Sequence, residues 1–574
     1  MDRVFRNLLL LGVVTLLGVF LGLYLSNQNR RTKRMEPILT SAEAEQTEEG
    51  TQPPAALIES FDGLGYGFVG PHGPSLGRNP SDNSLAVGPD HIVQTVNSRL
   101  AIFTKKGERY DTTGRPLYGA VPTNTVFQGF GGTCEERNNG DAVVRYDQLA
   151  DRWLIVMPIF RRGEVRPDQP ESWAARPSAY LSPPGVVGQP GPAAELFVPD
   201  PWNPEGPQPE GPALRTPPQR REGQRPPEPQ GVFSMCYAVS TGPDPMGSYY
   251  RYEFLRPLFP DYPRPAVWPD GYYLPTSTGD DVVQKHTCVV DRARMLAGEP
   301  ATEQCFVVDG VGFLNNADLD GTILPPPGSP NIMMATGGTQ LDSIFSDDGI
   351  YAWQVSVDWE ESENSKLLGP EKIGVAPYHY LCDGQLTNCV PQRDTDQRLD
   401  SQGDKIMARL IYRNLGEREA IVGVHSVATE DGGGGVRWYE FGVTQDRSLW
   451  LRQQGTYAPA APAGAYRWMA SPAMDGVGNI GIGYSFGGAE FYPGQRFTGR
   501  LVDDPLGELT MKEAVLVEGE GAQTNTLRWE DYTQTAIDPS DDCSIWYVGD
   551  YYKEGAETYS TRIGVFRLPG CGGG

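Results

Sequence analysis

The chain has 574 residues and a net charge of −25, with 73 Asp and Glu against 48 Lys and Arg. So acidic a surface repels polyphosphate, which excludes nucleic acid as the natural partner; it suits an extracytoplasmic protein, a cation binder or plain solubility. With 69 Gly, 51 Pro and aromatics at 10%, the composition suits many short strands joined by tight turns.

The first element is an uncharged, mostly apolar run from Leu8 to Leu25, just long enough to cross a bilayer. No small-residue cleavage site follows it and no Cys makes it a lipoprotein. We therefore expect residues 1–25 to be an uncleaved signal anchor with a transmembrane helix over 8–25. Arg30, Arg31, Lys33 and Arg34 outnumber Arg3 and Arg6, which by the positive-inside tendency would leave the C-terminal mass in the cytoplasm. The cysteines argue the opposite. Residues 26–60 are polar and without periodicity, and read as a flexible tether.

From Phe61 onward an apolar strand repeatedly enters an Asp-centred turn and leaves as a second apolar strand. Clear copies are centred on Asp90, Asp147–Asp151, Asp270, Asp475 and Asp538; weaker ones lie at Phe345–Tyr351 and Tyr412–Gly416. Where nothing intervenes they recur at about sixty residues, the mark of a repeat architecture. Four short strands cannot bury both faces of a sheet, whereas about seven such sheets set radially around an axis can. The expected fold is all-β, a β-propeller of about seven blades over 61–574; a β-helix has much shorter repeats. A segment dense in Pro, Arg, Glu and Gly interrupts the second unit over 162–230 and reads as a surface excursion.

Eight cysteines with no CxxC, and only five histidines, give zinc and haem almost no support. Disulfides fit better, with Cys134–Cys236, Cys288–Cys305, Cys382–Cys389 and Cys543–Cys571 as the expected pairs. They imply an oxidising compartment, so the domain is expected on the periplasmic or extracellular side.

Two motif matches carry no chemistry. Gly483–Gly487 matches GxSxG but lacks the following helix of a hydrolase elbow. Gly476–Gly481 matches GxGxxG but lies between strands. Asn316–Gly321 has oxygens on alternate residues, so Asp318 and Asp320 are candidates for Ca²⁺, although Pro327 stands where the closing Glu should be; no other cofactor is expected.

Aligning the units on their turns gathers the segments before each first strand at one end of the central channel. Asp82, Asp141, Asp404 and Asp531 should converge there with Arg137, Arg467 and Arg528, beside Trp468 and Trp529. Acids, arginines and flat aromatics around one funnel are what a polar ligand or sugar needs. The plain alternative is that they tie neighbouring blades together.

The runs Gly140–Asp147 with Ala150–Trp153, Cys236–Thr241, Trp268–Tyr273 and Arg528–Tyr532 resemble a large group of exported bacterial proteins without assigned activity. That resemblance spans about Asp82 to Cys571 and implies a propeller-like exported domain, with no catalytic residues to carry over. Sialidases, the enzymatic propellers, carry SxDxGxTW boxes that this chain lacks. The expected function is a membrane-anchored binding, accessory or scaffold module for a partner protein, a membrane complex or a glycan. The alternative is a glycan hydrolase using Asp404 and Asp531 as acid and base.

Overall fold

The computed structural model describes residues 39–75, 77–160, 194–195, 233–256, 259–276, 284–337, 348–384 and 387–572. The expected anchor at 8–25 lies outside them, as does all but 194–195 of the Pro-rich insertion. Among the described residues no helix is long and apolar enough to cross a membrane.

Ser41–Gly574 form one compact unit, built from consecutive four-stranded antiparallel meanders. The first consists of Ser84–Val87, His91–Val96, Arg99–Thr104 and Pro116–Pro122. We number only the first strand of each meander: β1 (Ser84–Val87), β2 (Val143–Asp147), β3 (Ala266–Trp268), β4 (Asn315–Asp320), β5 (Leu410–Asn414), β6 (Ala465–Met474) and β7 (Gln534–Ile537). These strands form a closed ring: β1 packs on β2, β2 on β3, and so on to β7, which packs back on β1. Between β4 and β5 the contact is also hydrogen-bonded, in parallel. Meanders arranged around an axis with their first strands innermost make a β-propeller. Apolar clusters fill the spaces between meanders, with Trp153, Trp268, Trp438, Trp468 and Trp529 among the largest fully buried side chains.

The ring closes through the chain's two ends. Ala56–Gly65 pairs antiparallel with Ser560–Arg567, the last strand, and so completes the meander that begins at β7. Residues 41–60 are therefore not a tether. Glu45–Gln46 pairs in parallel with Thr456–Tyr457, Gln52 bridges to Met511, and Ala44 and Ala55 are buried. These contacts use backbone groups that any sequence offers, so no periodicity announced them.

The Asp-centred turns join first to second strands, as expected, at Asp90, Asp147–Asp151, Asp270, Asn414–Gly416, Asp475 and Asp538. Asp475 Oδ1 accepts from the backbone N–H of Val477 at 3.1 Å and of Asn479 at 2.9 Å, and Asp538 Oδ1 from Ser540 at 2.9 Å. Several also clamp neighbouring meanders: Lys105 Nζ lies 2.6 Å from Asp538, and Arg292 Nε 2.7 Å from Asp147. The copy placed at Phe345–Tyr351 is out of register. Gly349 opens the third strand of its meander, and the first-to-second connection is the longer loop after Asp320.

All four expected disulfides are present: Cys134–Cys236, Cys288–Cys305, Cys382–Cys389 and Cys543–Cys571. Four such bonds mark an oxidising, extracytoplasmic environment. The last ties the turn after β7 to the chain's end and closes a 28-residue separation. Replacing Cys543 and Cys571 by Ser is expected to lower unfolding stability by about 3–4 kcal/mol on loop-entropy grounds. Chemical denaturation of this variant against the wild type is the check.

Candidate functional site

Ahead of β1, β2, β3, β5 and β7, and within β6, the chain turns through the left-handed region. Asp82 (φ 48°), Asp141 (φ 56°), Tyr262 (φ 53°), Gln402 (φ 50°), Met469 (φ 48°), Glu530 (φ 58°) and Asp531 (φ 61°) all adopt it. A β-carbon disfavours this conformation, and its recurrence near the start of the inner strands means the fold holds it there. These turns bring Asp82, Asp141 and Asp531 together at one end of the inner strands. There they sense one another: Asp141 and Asp531 are the first two charges acting on Asp82, and Asp82 hydrogen-bonds Asp141.

Each acid is held by named partners. Asn97 Nδ2 donates to Asp82 Oδ2 at 2.6 Å, and Tyr532 Oη to Asp141 Oδ2 at 3.2 Å. The carboxylate of Asp531 takes a hydrogen bond from Arg528 and one from Gln402 Nε2 at 3.4 Å, while Tyr262 Oη donates to its carbonyl at 3.0 Å. Asp404 pairs with Lys405, whose Nζ lies 3.2 Å away. That ammonium also donates to Gln402, sits 3.9 Å over the ring of Phe313, and favours the charged form of Asp531. The segment carrying Gln402, Asp404 and Lys405 is pinned beside the funnel by Asp400 N–H to Leu527 O at 2.9 Å and Ser401 Oγ to Leu381 O at 2.7 Å. The Cys382–Cys389 bond follows directly after Leu381.

Burial, with Asp141 and Asp531 close by, holds Asp82 well above the usual carboxylate range and so favours its protonated form. Asp531 is also raised by burial, which Arg528 and then Lys405 offset only in part. Arg264 packs against the rings of Tyr262 and Tyr532, 3.8 and 4.4 Å from their centroids, which are themselves 4.5 Å apart, and burial pulls it down to about 10.

Of the residues expected in the funnel, Asp82, Asp141, Asp404, Asp531 and Arg528 come together. The others do not. Trp468 and Trp529 are fully buried core side chains 6.2 Å apart, and Trp529 Nε1 donates to Ser485 Oγ at 2.9 Å. Arg467 is buried, with Nε 2.7 Å from Glu513 and Nη1 on the Pro459 carbonyl at 3.1 Å. Arg137 is exposed at the end of the short helix Thr133–Glu136. Conversely, Arg264, Lys405, Tyr532 and Phe313 belong to the site without having been singled out. Arg264 and Lys405 stand a few residues beyond their left-handed turn, and aligning on the turn alone does not reach them.

Asp318 and Asp320 do not form a calcium turn; they lie in strand β4, two residues apart on one face, and both are buried. Arg409 Nε is 2.6 Å from Asp318 and its Nη2 2.6 Å from Asp320, while Arg145 Nε is 3.2 Å from Asp318. Two arginines thus occupy the oxygens that a hard cation would use. With Gln148 and Gln534 they line a small cavity of about 20 Å³ further along the inner strands. Burial pulls Arg145 down to about 9, whereas Asp318 and Asp320 more than offset the burial of Arg409 and raise it.

Behind the funnel, Glu530 and Asp550 are wholly buried. Glu530 accepts from Gln495 Nε2 at 2.8 Å, from Ser485 Oγ at 2.9 Å and from the Asp550 N–H at 2.5 Å. The serine of the GxSxG match is therefore a core hydrogen-bonding group on the strand Ile480–Gly488. Burial raises both carboxyls well above their ordinary values, with the Asp550 charge adding to the rise of Glu530 and the Asp531 charge to that of Asp550.

No protein-family model matches the chain, and no curated protein matches it in sequence. Among solved structures it is similar to a GH43 glycoside hydrolase described as engineered at its active site to display both endo-xylanase and exo-arabinofuranosidase activity. The identity is 9% and the TM-score 0.26, over 86% of this chain and 97% of that one. A likeness so slight carries no argument about activity.

The buried pair gives a pH test. Glu530 and Asp550 start from 4.5 and 3.8 and titrate higher in the folded chain, which therefore binds more protons than the unfolded one above about pH 4. Their contribution to stability is full below those values and is lost as pH rises through the folded pKa values. Glu530→Gln keeps the acceptor for Gln495 and Asp550 and removes the charge. It is expected to raise the thermal midpoint at pH 8 and to leave it nearly unchanged at pH 4; a lower midpoint at pH 8 would contradict the assignment.

Proposed function

We propose that the protein is an extracytoplasmic β-propeller of seven blades that acts as a binding or accessory module, with the funnel around Asp82, Asp141 and Asp531 as its binding site. The closed ring β1 to β7 supports the blade number. The apolar run Leu8–Leu25 supports attachment to a membrane. Its partner class is a glycan, a cell-surface protein or a membrane complex.

The observation that carries the reading is the state of the acids named for hydrolysis. The buried cation Lys405 pairs with Asp404 and acts through space on Asp531, which Arg528 holds directly. A glycosidase needs two carboxyls facing each other across roughly 5–10 Å, with a sugar or water between them. An ammonium group that engages both acids suits a binding surface better.

One feature favours the hydrolytic alternative. Burial and the neighbouring Asp141 and Asp531 push Asp82 toward its protonated form, and a proton donor next to carboxylates is what glycoside cleavage requires. Assay of the full-length protein against a panel of aryl glycosides and oligosaccharides separates the two. The binding reading predicts no turnover, together with recovery of a specific partner after cross-linking in its own membrane. Turnover abolished by Asp82→Asn, or by Asp404→Asn and Asp531→Asn, would establish the enzyme instead.

A further inference from the structure

Arg264 is only 4% exposed. The rings of Tyr262 and Tyr532 pack side by side against its guanidinium, but aromatic carbons offer no lone pair to its N–H groups. Nε and Nη2 are buried and make no hydrogen bond. The nearest acids, Asp141, Asp531 and Asp82, act on it through space without bonding it. Donors buried and left unpaired are costly, so a species that accepts from the guanidinium and donates onward to the acids would complete the site.

We infer that this species is an uncharged polyhydroxyl ligand, a neutral saccharide, whose hydroxyls accept from Arg264 and donate to Asp82 and Asp141. The inference rests on the funnel being a binding site, as proposed above, and names what it binds. The charge pattern selects the class. An anionic ligand meets Asp141, Asp404 and Asp531, while a cationic one meets Arg264, Lys405 and Arg528. A hydroxyl is both donor and acceptor, and adjacent hydroxyls match donors and acceptors that alternate over a few ångströms.

Calorimetric titration of the full-length protein with maltotetraose, xylotetraose and mannotetraose, beside tetragalacturonate and the glucosamine tetramer, tests this. At least one neutral tetramer is expected to bind, and neither charged one. Arg264→Met keeps an apolar stem against the tyrosines and should weaken binding about tenfold or more. Asp141→Asn, at a half-buried position, should also weaken it and decides the matter if the arginine variant does not fold. Binding of a charged tetramer alone, lost in Arg264→Met, would overturn the neutral class while leaving the funnel as a binding site. Neutral binding indifferent to both substitutions would overturn the inference and the funnel together. Absence of binding by every tetramer would overturn the inference, and the proposed partner role would then stand or fall on the cross-linking result.

Discussion

Everything in this molecule depends on the antiparallel pairing of Ala56–Gly65 with Ser560–Arg567. Each meander has apolar side chains on both faces, so each must be covered by a neighbour on either side, and only a closed ring provides this. The chain closes it by lending its early strand to its last meander, and Cys543–Cys571 fastens the same place covalently. An open ring would expose two sheet faces and the edge of Ser560–Arg567, a template for pairing with other chains.

Closure also creates the funnel. Once the inner strands are fixed around an axis, the left-handed residues that lead into them are brought to one rim from distant parts of the sequence. Asp82 and Asp531 are separated by most of the domain yet share a cluster. At the opposite ends of the same strands, the turn aspartates spend their carboxylates on their own turns and on clamps such as Lys105–Asp538. The division follows from topology. Turn acids satisfy backbone N–H groups a few residues away, whereas rim acids are answered by side chains, Asn97 for Asp82, Tyr532 for Asp141 and Arg528 for Asp531.

Much of this was legible in the sequence. The Asp-centred turns are local patterns, and counting from them placed Asp82, Asp141, Asp404, Asp531 and Arg528 on one rim. The disulfides were legible because close spacing and an even count leave few sensible pairings. What failed did so for physical reasons. Asn316–Gly321 alternates oxygens because alternate residues of a buried strand face Arg409 and Arg145, and strand periodicity resembles a metal loop when the partners lie elsewhere in the chain. Trp468 and Trp529 lie beside the left-handed turns, but their side chains point into the core. Arg264 and Lys405 were missed since a cation's value here comes from rings and acids contributed by other meanders.

The central claim is that the rim cluster is an incomplete hydrogen-bonding site awaiting a hydroxyl-rich partner. The most direct measurement is a high-resolution crystal structure of the protein soaked with the neutral tetrasaccharide that binds it best. The account predicts saccharide density in the funnel, with one hydroxyl within hydrogen-bond distance of Arg264 Nε or Nη2 and another of Asp82 or Asp141. Saccharide bound elsewhere, with the guanidinium of Arg264 unchanged against its two tyrosines, would contradict it.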